Sequence, residues 1–230
     1  MLKVEKFVTA SPEQWEIIIE GMRNPKNSWD KIDSYETMVS PKLDAHDISD
    51  YERRFILGPN DRDLATRLTN GGPVHAKYRR MIPVHVTINA PLYWWKEFDT
   101  YKVGTTANSC STMHKIHAKE FTTEDFSCEH LICPGDECLG HGDPIPSRLL
   151  DMTIRFLNFY RKKFIETGDK KYWEQMIQLL PSSYNQKRTI KLNYEVLHNI
   201  YIWRKNHKLD EWHVLCDWIQ ELPYSELIID

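Results

Sequence analysis

The sequence predicts an α+β fold in which a small antiparallel sheet packs with a helical layer, and three observations carry that prediction. Ile82, Val84, Val86 and Ile88 alternate with Pro83, His85 and Thr87, the period of a strand with one buried face. The second half of the chain places apolar residues at helical spacing in four successive stretches. Neither a linker composition nor an internal repeat divides the 230 residues, so residues 1–230 read as one domain. Residues 113–145 read as an insertion that carries a Cys/His cluster.

Ser11-Pro12-Glu13-Gln14 opens the first helix, with Ser11 as cap, Pro12 in the first turn and Gln14 completing a capping box. Trp15, Ile18 and Ile19 give that helix its apolar face up to Gly21. From Asn24 to about Asp50 periodicity is weak and Pro25 and Pro41 intervene, so this stretch reads as a loop with short elements. A short helix begins at Asn60-Asp61-Arg62-Asp63 and stops at Asn70-Gly71-Gly72. In the strand that follows, Pro83 lacks an amide donor, so the strand begins at an edge or is unpaired there.

Asn89-Ala90-Pro91 switches the period to a helix with Leu92, Trp95 and Phe98 on one side. The run from Gly104 to Thr112 is small and polar, poor helix material and suited to a ligand-facing or surface loop. Leu149, Leu150, Ile154, Leu157 and Phe164 mark a long helix ending at Thr167-Gly168. Trp173, Met176, Ile177 and Leu180 mark a second, stopped by Pro181. A third is expected from about Ile190 to Arg204, preceded by a turn holding Lys187 and Arg188. The fourth carries Leu209, Trp212, Cys216 and Ile219 and ends before Pro223.

Composition narrows the classes of function. Apolar residues are 41%, charged residues 27%, and the net charge is -3, with a pI of about 6.4. No concentrated basic character marks a nucleic-acid binder. No run approaches the roughly 20 apolar residues that span a bilayer, and the opening residues lack a signal-peptide core, which reads as a cytoplasmic protein with no membrane partner. Five cysteines, an odd count, do not suggest a disulfide framework.

Cys128, Cys133, Cys138, His130 and His141 lie within fourteen residues among glycines and a proline. A tetrahedral zinc site wants four such ligands. The cysteine spacings are wider than those of paired zinc knuckles, and the plainer reading is an insertion whose cysteines are core or surface residues. No metal ligand is assigned on this basis.

Two segments carry a family resemblance. DRDLATRLTNGGPVHAKYRRMIPVHVTINAPLYWWKEF, from Asp61 to Phe98, gives helix, glycine turn, alternating strand, Ala-Pro step and helix. LLPSSYNQKRTIKLNYEVLHNIYIWRKNHKLDEWHVL supplies Pro181, Asn193 and Arg204 in fixed spacing. In both, the chain resembles the flavin-dependent thymidylate synthases. Their Arg-His-Arg group falls on Thr100, Tyr101 and Lys102, their serine on Cys110, and the following phosphate-binding arginine on Thr112. A family histidine that meets the flavin falls on Met81. Arg204 holds the position of an arginine that contacts the pyrimidine.

The resemblance implies a reductive methylation of deoxyuridylate in a homotetramer. Methylenetetrahydrofolate supplies the carbon and reduced flavin adenine dinucleotide (FAD) the hydride. It assigns Arg204 to catalysis, Tyr101, Lys102 and Cys110 to substrate, and Asn193 to the cofactor; Arg79 and Arg80, just before Met81, read as replacements for lost charge on the cofactor side, and Arg188, in its turn, as a cation that meets a substrate phosphate. Lysine in place of an arginine fork weakens a phosphate clamp. Cys110 also offers a thiol for attack on a pyrimidine, if nearby positive charge forms its thiolate. The implied function is a divergent enzyme modifying a pyrimidine nucleotide. The alternative is a non-catalytic oligomeric protein that uses the scaffold for nucleotide binding or association.

Overall fold

The computed structural model describes residues 1–40, 51–136, 138, 140 and 142–229. Strand β1 spans Lys3–Val8 and helix α1 spans Pro12–Arg23. The capping box at the start of α1 is present: the Gln14 amide donates to Ser11 Oγ at 3.3 Å, and the Ser11 amide to Gln14 Oε1 at 2.9 Å. Strands β2, Tyr35–Val39, and β3, Glu52–Ile56, pair antiparallel with Tyr35 opposite Ile56. The stretch expected to be a loop with short elements holds β2, while its later part, Pro41 included, lies outside the described residues. Helix α2 spans Pro59–Asn70 and stops at the expected glycines.

The alternating segment is β4, Pro83–Pro91, with Ile82, Val84, Val86, Ile88 and Ala90 all buried. Helix α3, Leu92–Phe98, follows, then β5, Thr106–Ser109. The polar run is therefore partly a strand, and its four residues are all exposed. Helices α4, Pro146–Thr167, and α5, Lys170–Leu179, are joined through Gly168, whose φ of 68° closes α4 in the left-handed conformation.

Residues expected to form a turn and the start of a helix form β6, Asn185–Asn193, so Lys187 and Arg188 lie on a strand. Helix α6 is confined to Tyr194–Arg204 and is capped by Asn193, whose Oδ1 accepts the Val196 amide at 3.0 Å. Helices α7, Asp210–Gln220, and α8, Glu226–Ile229, complete the described chain.

One sheet has the order β1-β4-β6-β5, and the other is the β2-β3 ribbon. Interior β4 tolerates Pro83 because it is the strand's first residue. No helix among the described residues is long and apolar enough to cross a membrane.

The chain forms two compact units. The first comprises Met1–Glu5, Thr87–Thr100 and Ala107–Thr189; the second comprises Lys6–Val86, Tyr101–Thr106 and Ile190–Asp230. The division cuts β1, β4 and β6 within their length, which is why no linker composition marks it.

In the first unit Ile116, Phe121, Phe126, Leu150, Leu157 and Met176 form a core under α4 and α5. Trp94, Trp95 and Phe98 of α3 are also buried there, with the Trp94 and Trp95 rings 4.8 Å apart. In the second unit Trp15 stacks on Phe55 at 5.5 Å and meets Tyr194 and Tyr224 edge-on.

Two titratable groups of the second unit, half-buried His198 and fully buried Asp61, make its stability acid-sensitive. Burial, helped by the charge of Arg79, holds His198 below the usual histidine range, although its Nδ1 lies 2.6 Å from the Ile228 carbonyl oxygen. Burial alone would push Asp61 up. Hydrogen bonds from Ser34, Arg23 and the Asp33 and Ser34 amides outweigh it and hold that carboxyl below its ordinary value.

A lowered folded-state pKa means that the unfolded chain takes up the proton first, so each group adds stability that is lost as pH falls. The urea midpoint is expected to decline as pH drops below about 6.5, through His198, and again below about 4, through Asp61. A midpoint constant between pH 7 and pH 4 would contradict the first of these assignments.

Candidate functional site

The second unit contains a cleft of about 520 Å³ whose walls come from the start of β4, the end of β6 and the turn before β5. The 3-10 turn Ala76–Met81 delivers Arg80 and Met81 to it. Pro83 and His85 project from β4, and Lys191 and Asn193 from the neighbouring β6. Alternation explains the placement. With Val84 and Val86 buried on one face of β4, and Ile190 and Leu192 on one face of β6, the intervening His85 and Lys191 are exposed.

The third wall is the turn at Gly104–Thr106. Gly104 has φ of 81°, and a Cβ there would stand 3.1 Å from Val196 Cγ2 and 3.2 Å from Asn193 Nδ2. A side chain is excluded at this position both by conformation and by the close approach of α6. The next residue, Thr105, has its hydroxyl oxygen buried without a hydrogen-bond partner among the described residues.

Two residues assigned to the cofactor, Arg80 and Asn193, thus line one cleft, together with Met81, which is 45% exposed. Arg79, one residue from Arg80, is buried and its charge acts on Tyr78 and His198 inside the unit. Tyr101 and Arg204 meet directly: Arg204 Nε donates to Tyr101 Oη at 3.0 Å. The guanidinium also lies 4.6 Å from the centre of the Trp212 ring, a cation–π contact that fixes its plane. Lys102 is exposed, and its carbonyl accepts the Thr105 amide at 3.3 Å, closing the turn that presents Gly104.

Arg188 and Cys110 belong to the first unit. Arg188 donates to Asp99 Oδ1 at 2.7 Å and to Gln186 Oε1 at 2.9 Å, with its guanidinium 4.3 Å from the centre of the Trp95 ring. The Cys110 thiol is exposed, while its backbone is fixed, the amide donating to Lys187 O and the carbonyl accepting from Gln186 Nε2, both at 2.9 Å.

The cysteine cluster gives no support to zinc. Cys133 and Cys138 are exposed free thiols, Cys128 is half-buried, and His141 lies outside the described residues. Among the described residues no three His, Cys, Asp or Glu side chains are placed to hold a metal. Burial, and then the charge of Glu129, push the Cys128 thiol up, away from the thiolate that metal binding requires.

Sequence reasoning missed His85 and Lys191. The signal for His85 was present in the exposed positions of the β4 alternation. That for Lys191 depended on recognising β6 as a strand.

The order of elements and the two sheets define the fold of the flavin-dependent thymidylate synthases. Particular solved structures share it: thymidylate synthase X (ThyX) of Helicobacter pylori with FAD and dUMP superposes with a TM-score of 0.63 at 14% identity, over 100% of this chain and 97% of that one. A second structure of flavin-dependent thymidylate synthase ThyX from Helicobacter pylori, complexed with FAD and dUMP, gives 0.60 at 15% identity, over 100% and 98%. The UMP/dUMP methylase PolB of Streptomyces cacaoi, bound with 5-Br dUMP, gives 0.59 at 12%, over 99% and 93%. No protein-family model matches the sequence, and no curated protein matches it in sequence. The likeness is therefore one of fold, over the whole chain.

Proposed function

We propose that this chain binds FAD and a pyrimidine nucleotide and modifies the nucleotide, as a divergent flavin-dependent thymidylate synthase-like protein. The observation that supports this most is the convergence of Arg80, Met81 and Asn193 on one cleft. Met81 and Asn193 match flavin-side positions of the family, and Arg80 supplies charge beside them. The residues present fit the cofactor. Arg80 and Lys191 offer positive charge to its phosphates, and Asn193 offers a polar contact. The thioether of Met81 gives a soft apolar surface for a flat ring.

Bound flavin would supply the hydride. The protein's share is to bind and orient. Arg204, held by Tyr101 and Trp212, would meet the pyrimidine. With this reading goes a cytoplasmic homotetramer.

A second reading, a non-catalytic nucleotide-binding protein on the same scaffold, is favoured by one group of observations. Thr112 replaces the family's phosphate arginine, and Arg188 is bonded internally to Asp99 and Gln186.

Turnover separates the two. The protein is incubated with FAD, a chemical reductant, methylenetetrahydrofolate and dUMP or UMP, and the nucleotides are read by mass spectrometry. A nucleotide gaining a methyl group is the expected result. Unchanged nucleotides from protein shown to hold flavin would leave the non-catalytic reading.

A further inference from the structure

We infer that the cleft on β4 and β6 is a phosphoryl-anion site in which Arg80 and Lys191 supply the charge that the family draws from its signature loop. The inference deepens the proposed function and rests on it. Acidic residues outnumber basic ones in this chain, 33 to 30, yet the residues lining the cleft include Arg80, His85 and Lys191 and no carboxylate. Two other concave regions of the same unit contain carboxylates, Asp217 in one and Glu16 and Glu20 in another, and in a third, lined by Arg53 and Arg54, Arg53 is already paired with Glu13 and Glu36.

The two permanent cations are also uncommitted. Arg53, Arg62 and Arg67 of the same unit each pair with a carboxylate, whereas neither Arg80 nor Lys191 has an ion pair among the described residues. Holding cations together without acidic neighbours is unfavourable unless an anion joins them.

The remaining wall suits the same ligand. At Gly104 the backbone turns with positive φ against Asn193, and the Thr105 hydroxyl is buried without a partner among the described residues. The Arg80 fork and the Lys191 ammonium would neutralise the charge of a phosphoryl group held there. The loop position that carries a phosphate-binding arginine in the family is Thr112 here, which has no charge to offer. The positive charge has moved from the loop to the Ala76–Met81 turn and to β6. Lys191 is available for this role only because residues 185–193 form a strand and place it beside His85 of β4.

Two phosphoryl sources share this chemistry, a flavin phosphate and a nucleotide phosphate, and matched probes tell them apart. Dissociation constants are measured for flavin mononucleotide against riboflavin, and for dUMP against deoxyuridine. The wild type, Arg80→Ala, Lys191→Ala and Lys191→Arg are compared. Both positions are exposed, and circular dichroism checks that each variant is folded.

In at least one pair the wild type is expected to prefer the phosphorylated probe by about 10-fold or more, less at high salt. Each alanine variant should lose most of that preference, weakening the phosphorylated probe far more than the unphosphorylated one. Lys191→Arg should keep it.

Equal affinity for both members of both pairs, or discrimination that survives Arg80→Ala and Lys191→Ala, overturns the inference. Riboflavin binding as tightly as its phosphate, with no nucleotide preference, would leave the flavin reading standing and remove this one. A dUMP preference abolished by Lys191→Ala without any flavin binding would do the reverse. Failure of all four probes to bind overturns both.

Discussion

Replacing Asp61 by alanine is expected to lower the unfolding free energy by about 3–5 kcal/mol, because it strands a buried cation. Arg23 and Asp61 are both almost inaccessible, and Arg23 Nε donates to Asp61 Oδ1 at 2.5 Å. The other carboxylate oxygen accepts the amides of Asp33 and Ser34 at 3.1 and 2.9 Å and the Ser34 hydroxyl at 2.7 Å. Asp33 in turn accepts the Asn60 and Asp61 amides at the start of α2, and Ser34 Oγ accepts the Gly58 amide at 2.9 Å. One carboxylate therefore ties the end of α1, residues 33–34 and the start of α2 together.

Asp61→Asn keeps an acceptor but removes the charge that balances Arg23, so it should also be strongly destabilised. Replacing the pair together by apolar residues of similar volume should recover much of the loss, since no charge is then left buried. Urea unfolding of the single and double variants checks this. A loss below about 1 kcal/mol for Asp61→Ala would place the pair among weak surface bridges and contradict the network.

Trp95→Ala should cost about 3–5 kcal/mol, in the first unit. The ring is fully buried, packed against Trp94 at 4.8 Å and Phe98 at 5.3 Å between centres. Its Nε1 donates to the Gln186 carbonyl at 2.8 Å, and Arg188 lies over its face. Truncation opens a large cavity, leaves a β6 carbonyl without its donor and removes the surface on which Arg188 rests. Trp95→Phe should cost clearly less, since it keeps most of the packing and loses the hydrogen bond. Thermal or urea unfolding would show the order alanine, then phenylalanine, then wild type. Equal losses for the two variants would mean that the hydrogen bond, rather than the packed volume, dominates.

How far the sequence reveals this protein depends on which face of each element is apolar. Helix α1 is readable from Ser11 and Gln14, and β4 from four alternating apolar residues, because capping and burial are both written in residue type. Strand β6 is not. Only Ile190 and Leu192 mark its buried face near its end, while Gln186 is buried through hydrogen bonds rather than apolar character. Strand β5 is an edge strand with every residue exposed, so no hydrophobic pattern exists to report it.

The site inherits these gaps. Asn193 was legible through the family resemblance, Arg80 through its charge beside Met81 and His85 through the β4 alternation, but Lys191 needed β6 to be recognised as a strand. The neighbours Arg79 and Arg80 are indistinguishable by type, yet one is buried and the other lines the cleft. A short turn rotates adjacent side chains to opposite environments, and sequence alone does not fix its phase.

A spectral titration decides whether the cleft of Arg80, Met81 and Asn193 takes a flavin. The absorbance spectrum of purified protein is recorded, then repeated as FAD is added, with and without dUMP. A saturable perturbation of the flavin bands, weakened by Asn193→Ala or Arg80→Ala, is expected. A flavin spectrum that stays that of the free cofactor at every protein concentration, with and without dUMP, would contradict it.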